Sequence, residues 1–211
     1  MEKKESKCKI CRRFGTKLFL RGERCFSPKC AITRRGTTPP GQPRKKVRGG
    51  LTEYGKAKRE KQKLRNLYHL SETQFRNYVK EILAKKGKEL DLSYELFKKL
   101  EKRLDNIVFK LGFSSSRRQA KQIVSHGFFA VNKKSINIPS YQVKKGELIS
   151  LKESKRKGTY FKNLSETIKK VEVPTWLSLD KENYIGEIKE EPIFDEKLVA
   201  EIPTIIEFYS R

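Results

Sequence analysis

In the stretch Ser116-Arg117-Arg118-Gln119-Ala120-Lys121-Gln122-Ile123-Val124-Ser125-His126-Gly127, two faces separate at helical spacing. Ala120, Ile123 and Val124 make a narrow apolar face, while Arg118, Lys121, Gln122 and Ser125 recur at i, i+3, i+4 and i+7 as a polar, basic one. Ser116 with Gln119 predicts a capping box at the start, and Gly127 ends the helix. The helix N-terminus offers free backbone N–H groups to a phosphate. A solvated face on an ordinary amphipathic helix has the same pattern, so periodicity alone leaves both readings open. Short strands follow: Phe128–Val131, a turn at Asn132-Lys133-Lys134, Ser135–Ile138, and a further strand at Glu147–Leu151. Residues 113–151 therefore read as a compact α/β unit.

Upstream, Ser93 opens a helical stretch through Leu96, Phe97, Leu100, Leu104, Ile107, Val108 and Leu111, stopped by Gly112. Before it, Ser71 and Gln74 predict another capped helix, whose apolar stripe is Phe75, Tyr78, Val79 and Ile82. Residues 52–70 also read as helical, with Leu64, Leu67 and Tyr68 as the stripe and Lys56, Lys58, Arg59, Lys61, Lys63 and Arg65 filling the rest. Residues 37–50 hold too much Pro and Gly for regular structure and read as an extended loop carrying Arg44, Lys45, Lys46 and Arg48. Downstream, 152–165 is a basic linker. The runs around Val173–Leu177 and Ile202–Tyr209 read as strand-like segments between acidic turns.

All four cysteines fall in the first 36 residues, as Cys8-x-x-Cys11 and, thirteen residues on, Cys25-x4-Cys30. Four thiolates at this spacing suit the tetrahedral preference of zinc, and the filled ligand set leaves no vacancy for catalysis. A hairpin with strand-like Lys17–Leu20 and a turn at Arg21-Gly22-Glu23 would close the site. Reduced structural thiols, or an iron–sulfur cluster on similar ligands, are the alternatives; disulfides are disfavoured in the cytosol. Arg12, Arg13, Lys17, Arg21, Arg24, Lys29, Arg34 and Arg35 surround the cysteines. A knot with so little core would serve to aim those cations.

The chain has 211 residues, 50 Lys plus Arg against 25 Asp plus Glu, and a formal net charge of +25. Such an excess implies a polyanionic partner, nucleic acid before an anionic membrane surface. No run approaches a membrane-spanning length, and no apolar signal core follows Met1-Glu2-Lys3-Lys4-Glu5, so a cytoplasmic protein is expected. The charge is uneven: residues 1–70 carry 22 basic and 5 acidic side chains, whereas residues 172–211 carry 4 and 10. The N-terminal third is the part expected to face the polyanion.

A resemblance sharpens these readings. Arg103-Leu104-Asp105-Asn106, Leu111-Gly112-Phe113, the stretch from Ser116 to Gly127, Val131-Asn132 and Pro139-Ser140-Tyr141 closely resemble the RNA-binding module named after ribosomal protein S-four. Pro40-Gly41-Gln42, Tyr54-Gly55, Arg59 to Arg65, Gln74 to Tyr78, Pro174-Thr175-Trp176-Leu177 and Glu207 to Arg211 extend the likeness from end to end to the bacterial ribosomal protein S-four family, in its zinc-bearing, four-cysteine form. The resemblance implies an α+β chain in four parts. These are a zinc knot and basic loop over 1–50, a helical domain over 51–100, an inserted α/β RNA-binding module of helices and a small antiparallel sheet over 101–165, and a segment over 166–211 that packs back on the helical domain. It also implies a protein of the small ribosomal subunit that binds the 5′ domain of 16S rRNA directly and nucleates 30S assembly. Its further partners would be messenger RNA, at the channel by which it enters, and the neighbouring protein S-five, and one structural zinc ion would be its only cofactor. No membrane and no small-molecule substrate are expected.

The residues expected on RNA are Arg12, Arg13, Lys17, Arg21, Arg24, Arg34 and Arg35 in the knot and Arg44, Lys45, Lys46 and Arg48 in the loop. On the first long helix they are Tyr54, Lys56, Arg59, Lys61, Lys63, Arg65 and Tyr68, and in the module Arg103, Ser116, Arg117, Arg118, Lys121, Gln122, His126, Asn132 and Lys133. Cys8, Cys11, Cys25 and Cys30 are the expected zinc ligands. Neither His69 nor His126 has a carboxylate and a nucleophile arranged beside it, Asp105 is expected to pair locally with a basic residue, and Trp176 reads as a core anchor. Pseudouridine synthases also carry this module, but their catalytic domain needs far more chain than remains. A zinc-dependent transcription or quality-control factor is the other rival.

Overall fold

The computed structural model describes residues 6–41, 50–84, 91–156, 158, 161, 164, 168, 171–194 and 200–210. It divides into two compact units, one formed by residues up to Leu96 together with those from Asp195 on, the other by Phe97–Phe194.

The first unit begins with helix α1 (Lys7–Phe14), a 3-10 turn at Gly22–Cys25 and the short helix α2 (Ala31–Arg35). The expected hairpin at Lys17–Leu20 is absent: no strand forms there, and the knot is helical. Its small core is Cys11, Phe14 and Leu18, with Ile10, Leu20 and Ile32 packed against it.

Helix α3 (Glu53–Leu67) is capped by Thr52, whose side chain accepts from the Gly55 N–H, and α4 (Glu72–Leu83) by Ser71, which accepts from the Gln74 N–H. Between them the chain turns at His69, which takes φ 54° while the Leu70 N–H closes onto the Arg65 carbonyl. Their buried stripes, Leu64 and Leu67 on α3 and Phe75, Val79 and Ile82 on α4, are those the sequence predicts.

The C-terminal run Ile202–Ser210 is an α-helix (numbered α9, after the later elements below), not the strand-like segment expected. Its isoleucines favour strands, but Ile202, Ile205 and Ile206 fall at helical spacing and are buried, and the helix packs on α3 and α4. Tertiary burial overrides intrinsic propensity here. Pro203 lies in the first turn, where its missing N–H costs nothing.

The second unit holds α6 (Leu104–Lys110), α7 (Arg117–Ser125) and a five-stranded antiparallel sheet. Helix α5 (Leu92–Glu101) leads into it. The cap of α5 is Asp91, whose Oδ1 accepts from the N–H groups of Ser93 and Tyr94, rather than Ser93 itself. The strands are β1 (Phe129–Val131), β2 (Lys134–Ile136), β3 (Leu148–Leu151), β4 (Leu177–Asp180) and β5 (Ile185–Ile188), in the order β2-β1-β3-β5-β4. Helix α8 is the single turn Glu153–Arg156.

The sheet therefore continues past residue 165, where the sequence reading ends the module. Ile149 pairs with Gly186, and Leu179 with Gly186 on the other side. Gly186 is required there, because a Cβ at this position would collide with the Leu111 side chain. One core joins the helices to the sheet. It includes Leu104, Ile107, Ala120, Ile123, Phe129, Ile149 and Ile188, with Trp176 seated in it as an anchor. Truncating a large member such as Phe129 to Ala would cost about 3–5 kcal/mol.

Candidate nucleic-acid interface

Helix α7 presents the most distinct surface. Ser116 caps it, its Oγ accepting from the Gln119 N–H at 3.4 Å. Gln119 completes the box one residue early, its Oε1 accepting from the N–H and the hydroxyl of Ser115. Ala120, Ile123 and Val124 are buried, which leaves Arg118 and Gln122 exposed and Lys121 half-buried on the other side. His126 ends the helix, exposed, its ring parallel to Phe128 at 6.2 Å.

The hairpin between β1 and β2 lies in the same unit. Asn132 and Lys133 take φ 47° and 68°, the two left-handed residues that a two-residue hairpin with matching strand twist needs. Asn132 is tied to β3, its Oδ1 accepting from the Leu148 N–H at 3.0 Å, so Lys133 is the exposed cation the turn offers. Beyond it, Lys155 stands 5.5 Å over the Phe128 ring. Arg156 donates to the Asn183 carbonyl and stacks on Tyr184.

Arg117 is held by the protein. Its Nε donates to Asn106 Oδ1 at 2.8 Å and its guanidinium lies 4.7 Å from the Phe109 ring. Asn106 in turn donates to the backbone and carboxylate of Glu101, which is paired with Lys110. This buried network fixes where α7 starts. Three residues expected on RNA sit inside the protein instead. Arg103 is 0% exposed and bonded to Asp105, Lys61 is buried against Glu72, and Tyr68 is buried in the helical core.

In the helical part, Arg59 donates to the carbonyls of Arg13 and Phe14, closing the C-terminus of α1. Lys63 pairs with Glu60 and Arg65 with Glu72. Burial works to raise Glu72, yet the hydrogen bond and charge of Lys61, with Arg65 behind, hold its carboxyl below the usual range. Lys56 and Tyr54 remain exposed, as does Lys58, which sits 5.8 Å over the Tyr54 ring. In the knot, Arg12 is spent on the carbonyls of Thr38 and Pro39, whereas Arg13, Arg21, Arg24, Arg34 and Arg35 are exposed and Lys17 half-buried. Arg44, Lys45, Lys46 and Arg48 lie outside the described residues.

None of the four cysteines is in a disulfide. Cys8 and Cys11 share one face of α1, Cys25 ends the 3-10 turn and Cys30 caps α2. Burial pushes the Cys11 thiol up, the Leu18 N–H counters, and the nearby Cys25, Cys8 and Cys30 add to the rise. At Cys30, burial is outweighed by the N–H groups of Thr33 and Ile32, and the thiol is lowered. The Arg21 N–H donates to Cys25 Sγ at 3.4 Å and its guanidinium to Cys8 Sγ at 3.9 Å. Among the described residues, no three or more His, Cys, Asp or Glu side chains are arranged to hold a metal ion. The donor set and its N–H···S contacts nonetheless suit thiolates around a soft cation.

Lys58, named on the polar side of the first long helix, is not among the residues expected on RNA, and neither Lys155 nor the aromatic pair Phe19–Phe26 is singled out from the sequence. The signal for the last was Phe26 set between Arg24 and Lys29.

This architecture, a helical unit joined to a small sheet with a basic helix, is that of proteins built around an S4 domain. Residues 102–149 match the family model of the S4 domain, and residues 2–101 match the one described as ribosomal protein S4/S9 N-terminal domain. The chain is 42% identical to the small ribosomal subunit protein uS4 of Koribacter versatilis, over 99% of this chain and 98% of that one. It is 44% identical to the proteins of the same name from Thermosipho melanesiensis and Thermus thermophilus, in each case over 97% of this chain and 96% of the other. The chain belongs to the family of small ribosomal subunit protein uS4.

Proposed function

We propose that the chain is a structural, non-enzymatic constituent of the small ribosomal subunit in the cytoplasm, and that it binds ribosomal RNA directly. The observation that carries this is the basic face of α7. Its cations Arg118 and Lys121 stand away from the core, in the same unit as the exposed hairpin cation Lys133, on an S4 domain. At more detail, the reading is a primary binder of the 5′ domain of 16S rRNA that nucleates 30S assembly. It would touch protein S-five and contribute to translational accuracy. Arg44, Lys45, Lys46 and Arg48 would hold messenger RNA by its phosphates where it enters, without regard to sequence.

One zinc ion, held by Cys8, Cys11, Cys25 and Cys30, would complete the knot. It would supply cross-links that the apolar core there does not. Arg21 then stabilises thiolate charge at Cys8 and Cys25 rather than reaching RNA.

Filter binding of the full chain to a 5′-domain transcript of 16S rRNA, across salt concentrations, tests the reading. Arg118→Ala is expected to weaken binding and to reduce the salt slope by roughly one. Arg117→Ala is expected to destabilise the second unit as well, because Asn106 loses its donor. An unchanged slope for Arg118→Ala would mean that this face looks into solvent. Failure to co-sediment with 30S subunits at high salt would remove the ribosomal assignment.

A further inference from the structure

Phe26 is 77% exposed, the largest exposure among the large apolar side chains of the described residues. It is not a stray ring. Phe19 stacks against it with centroids 5.0 Å apart and planes 28° from parallel, so the pair forms a two-layer aromatic slab with one outer face open. The backbone is bent to achieve this: Phe19 takes φ 51°, a left-handed conformation that a bulky side chain adopts only when its surroundings impose it. The surroundings do so. Leu18 beside it is buried in the knot's core, the Arg21 N–H is held by Cys25 Sγ, and the Phe26 N–H donates to the Glu23 carbonyl. Both rings thus stand on a framework pinned next to Cys25.

Cations flank the slab in the chain. Arg21, Arg24 and Lys29 lie within five residues of Phe26 and are exposed. An open aromatic face with cations around it suits an unpaired nucleobase, whose π-face stacks on the ring while the flanking phosphates meet the charges. A protein partner would have to bring an apolar patch ringed by acids to the same place, and the strongly basic N-terminal third favours a polyanion.

We propose that Phe26, backed by Phe19, is a stacking platform for one unpaired base of the bound RNA, with Arg24 and Lys29 at the adjoining phosphates. The proposal rests on the RNA-binding reading above and adds a contact of a different kind, one that depends on a flat ring and not on charge.

The test uses the full chain and the 5′-domain transcript of 16S rRNA, with Phe26→Ala, Phe26→Leu and Phe26→Tyr. Phe26→Ala and Phe26→Leu are expected to weaken binding about 5- to 100-fold, with the salt slope unchanged because no charge is removed. Phe26→Tyr, which keeps the flat face, should bind as the original chain does. Unchanged thermal unfolding of the leucine variant would separate lost stacking from lost fold. Binding by Phe26→Ala within twofold of the original, or full binding by Phe26→Leu, would overturn the platform; the second result would point to an apolar protein contact. If the original chain itself fails to bind the transcript, the RNA-binding reading falls and the platform falls with it.

Discussion

The guanidinium of Arg103 meets the carboxylate of Asp105 in a two-pronged pair, Nε to Oδ1 at 3.0 Å and Nη2 to Oδ2 at 2.6 Å, with the arginine wholly out of solvent. The pair sits where α6 starts. The Leu104 N–H donates to the Tyr141 carbonyl, the Asp105 N–H to Pro139, and Arg103 itself bridges to Gln142. Burial pushes the Asp105 carboxyl up, and the Arg103 fork works against that rise. Removing one partner strands the other. Arg103→Ala is expected to cost about 3–5 kcal/mol, read as a fall in denaturant midpoint by the fluorescence of Trp176, the chain's single tryptophan. Adding Asp105→Asn should recover part of the loss. A midpoint unmoved by Arg103→Ala would mean that water replaces the guanidinium at no cost.

Gly112 ends α6 at φ 84°, and a Cβ there would come 2.7 Å from a Val171 methyl. Gly112→Ala therefore incurs both left-handed strain and a clash, together about 2–4 kcal/mol. A melting temperature lowered by several degrees checks this, and Val171→Ala in the same chain should relieve the clash but not the strain.

The cluster of Glu72, Lys61 and Tyr209 ties α9 to the helical unit, since Tyr209 Oη donates to Glu72 and Lys61 lies over its ring. The folded Glu72 titrates below its ordinary 4.5. Its contribution is therefore present above that value and is lost as pH falls through the lower folded one. Tyr209, which burial and the Glu72 charge push up to about 12, behaves in the opposite sense. Its contribution is complete below its ordinary 10 and is lost as pH rises toward 12. Glu72→Gln should flatten the acid limb of a stability–pH profile, and Tyr209→Phe the alkaline limb. Profiles that superimpose on the original would remove the cluster from the account.

The zinc proposal predicts about one zinc per chain by elemental analysis. Chelation should raise amide exchange through α1, the 3-10 turn and α2 while leaving the second unit protected, because its core shares no residue with the knot. Metal-free protein with the same exchange pattern would return the cysteines to plain thiols.

Much of this protein follows from local order in the chain. Ser71 and Ser116 mark helix starts, Gly112 and Gly127 mark ends, and the spacing of Ala120, Ile123 and Val124 decides which face of α7 is left for a partner. These are short-range effects, set by capping bonds and by the helical period, so sequence suffices. The net charge of +25 likewise points to a polyanionic partner without any coordinates. What sequence could not decide is which cations are spent inside. Arg103, Lys61 and Arg117 read as phosphate ligands by type, but Asp105 takes the first, Glu72 the second, and Asn106 with the Phe109 ring the third. Ile202–Tyr209 reads as strand by composition and folds as helix because its isoleucines are buried where it packs on α3 and α4. Phe26 shows the reverse: an aromatic that composition would bury is left open, because a stacked Phe19 and a pinned backbone hold it there. In each case the deciding energy is a desolvation or packing term that depends on which side chains the fold buries together, and only the tertiary structure settles that.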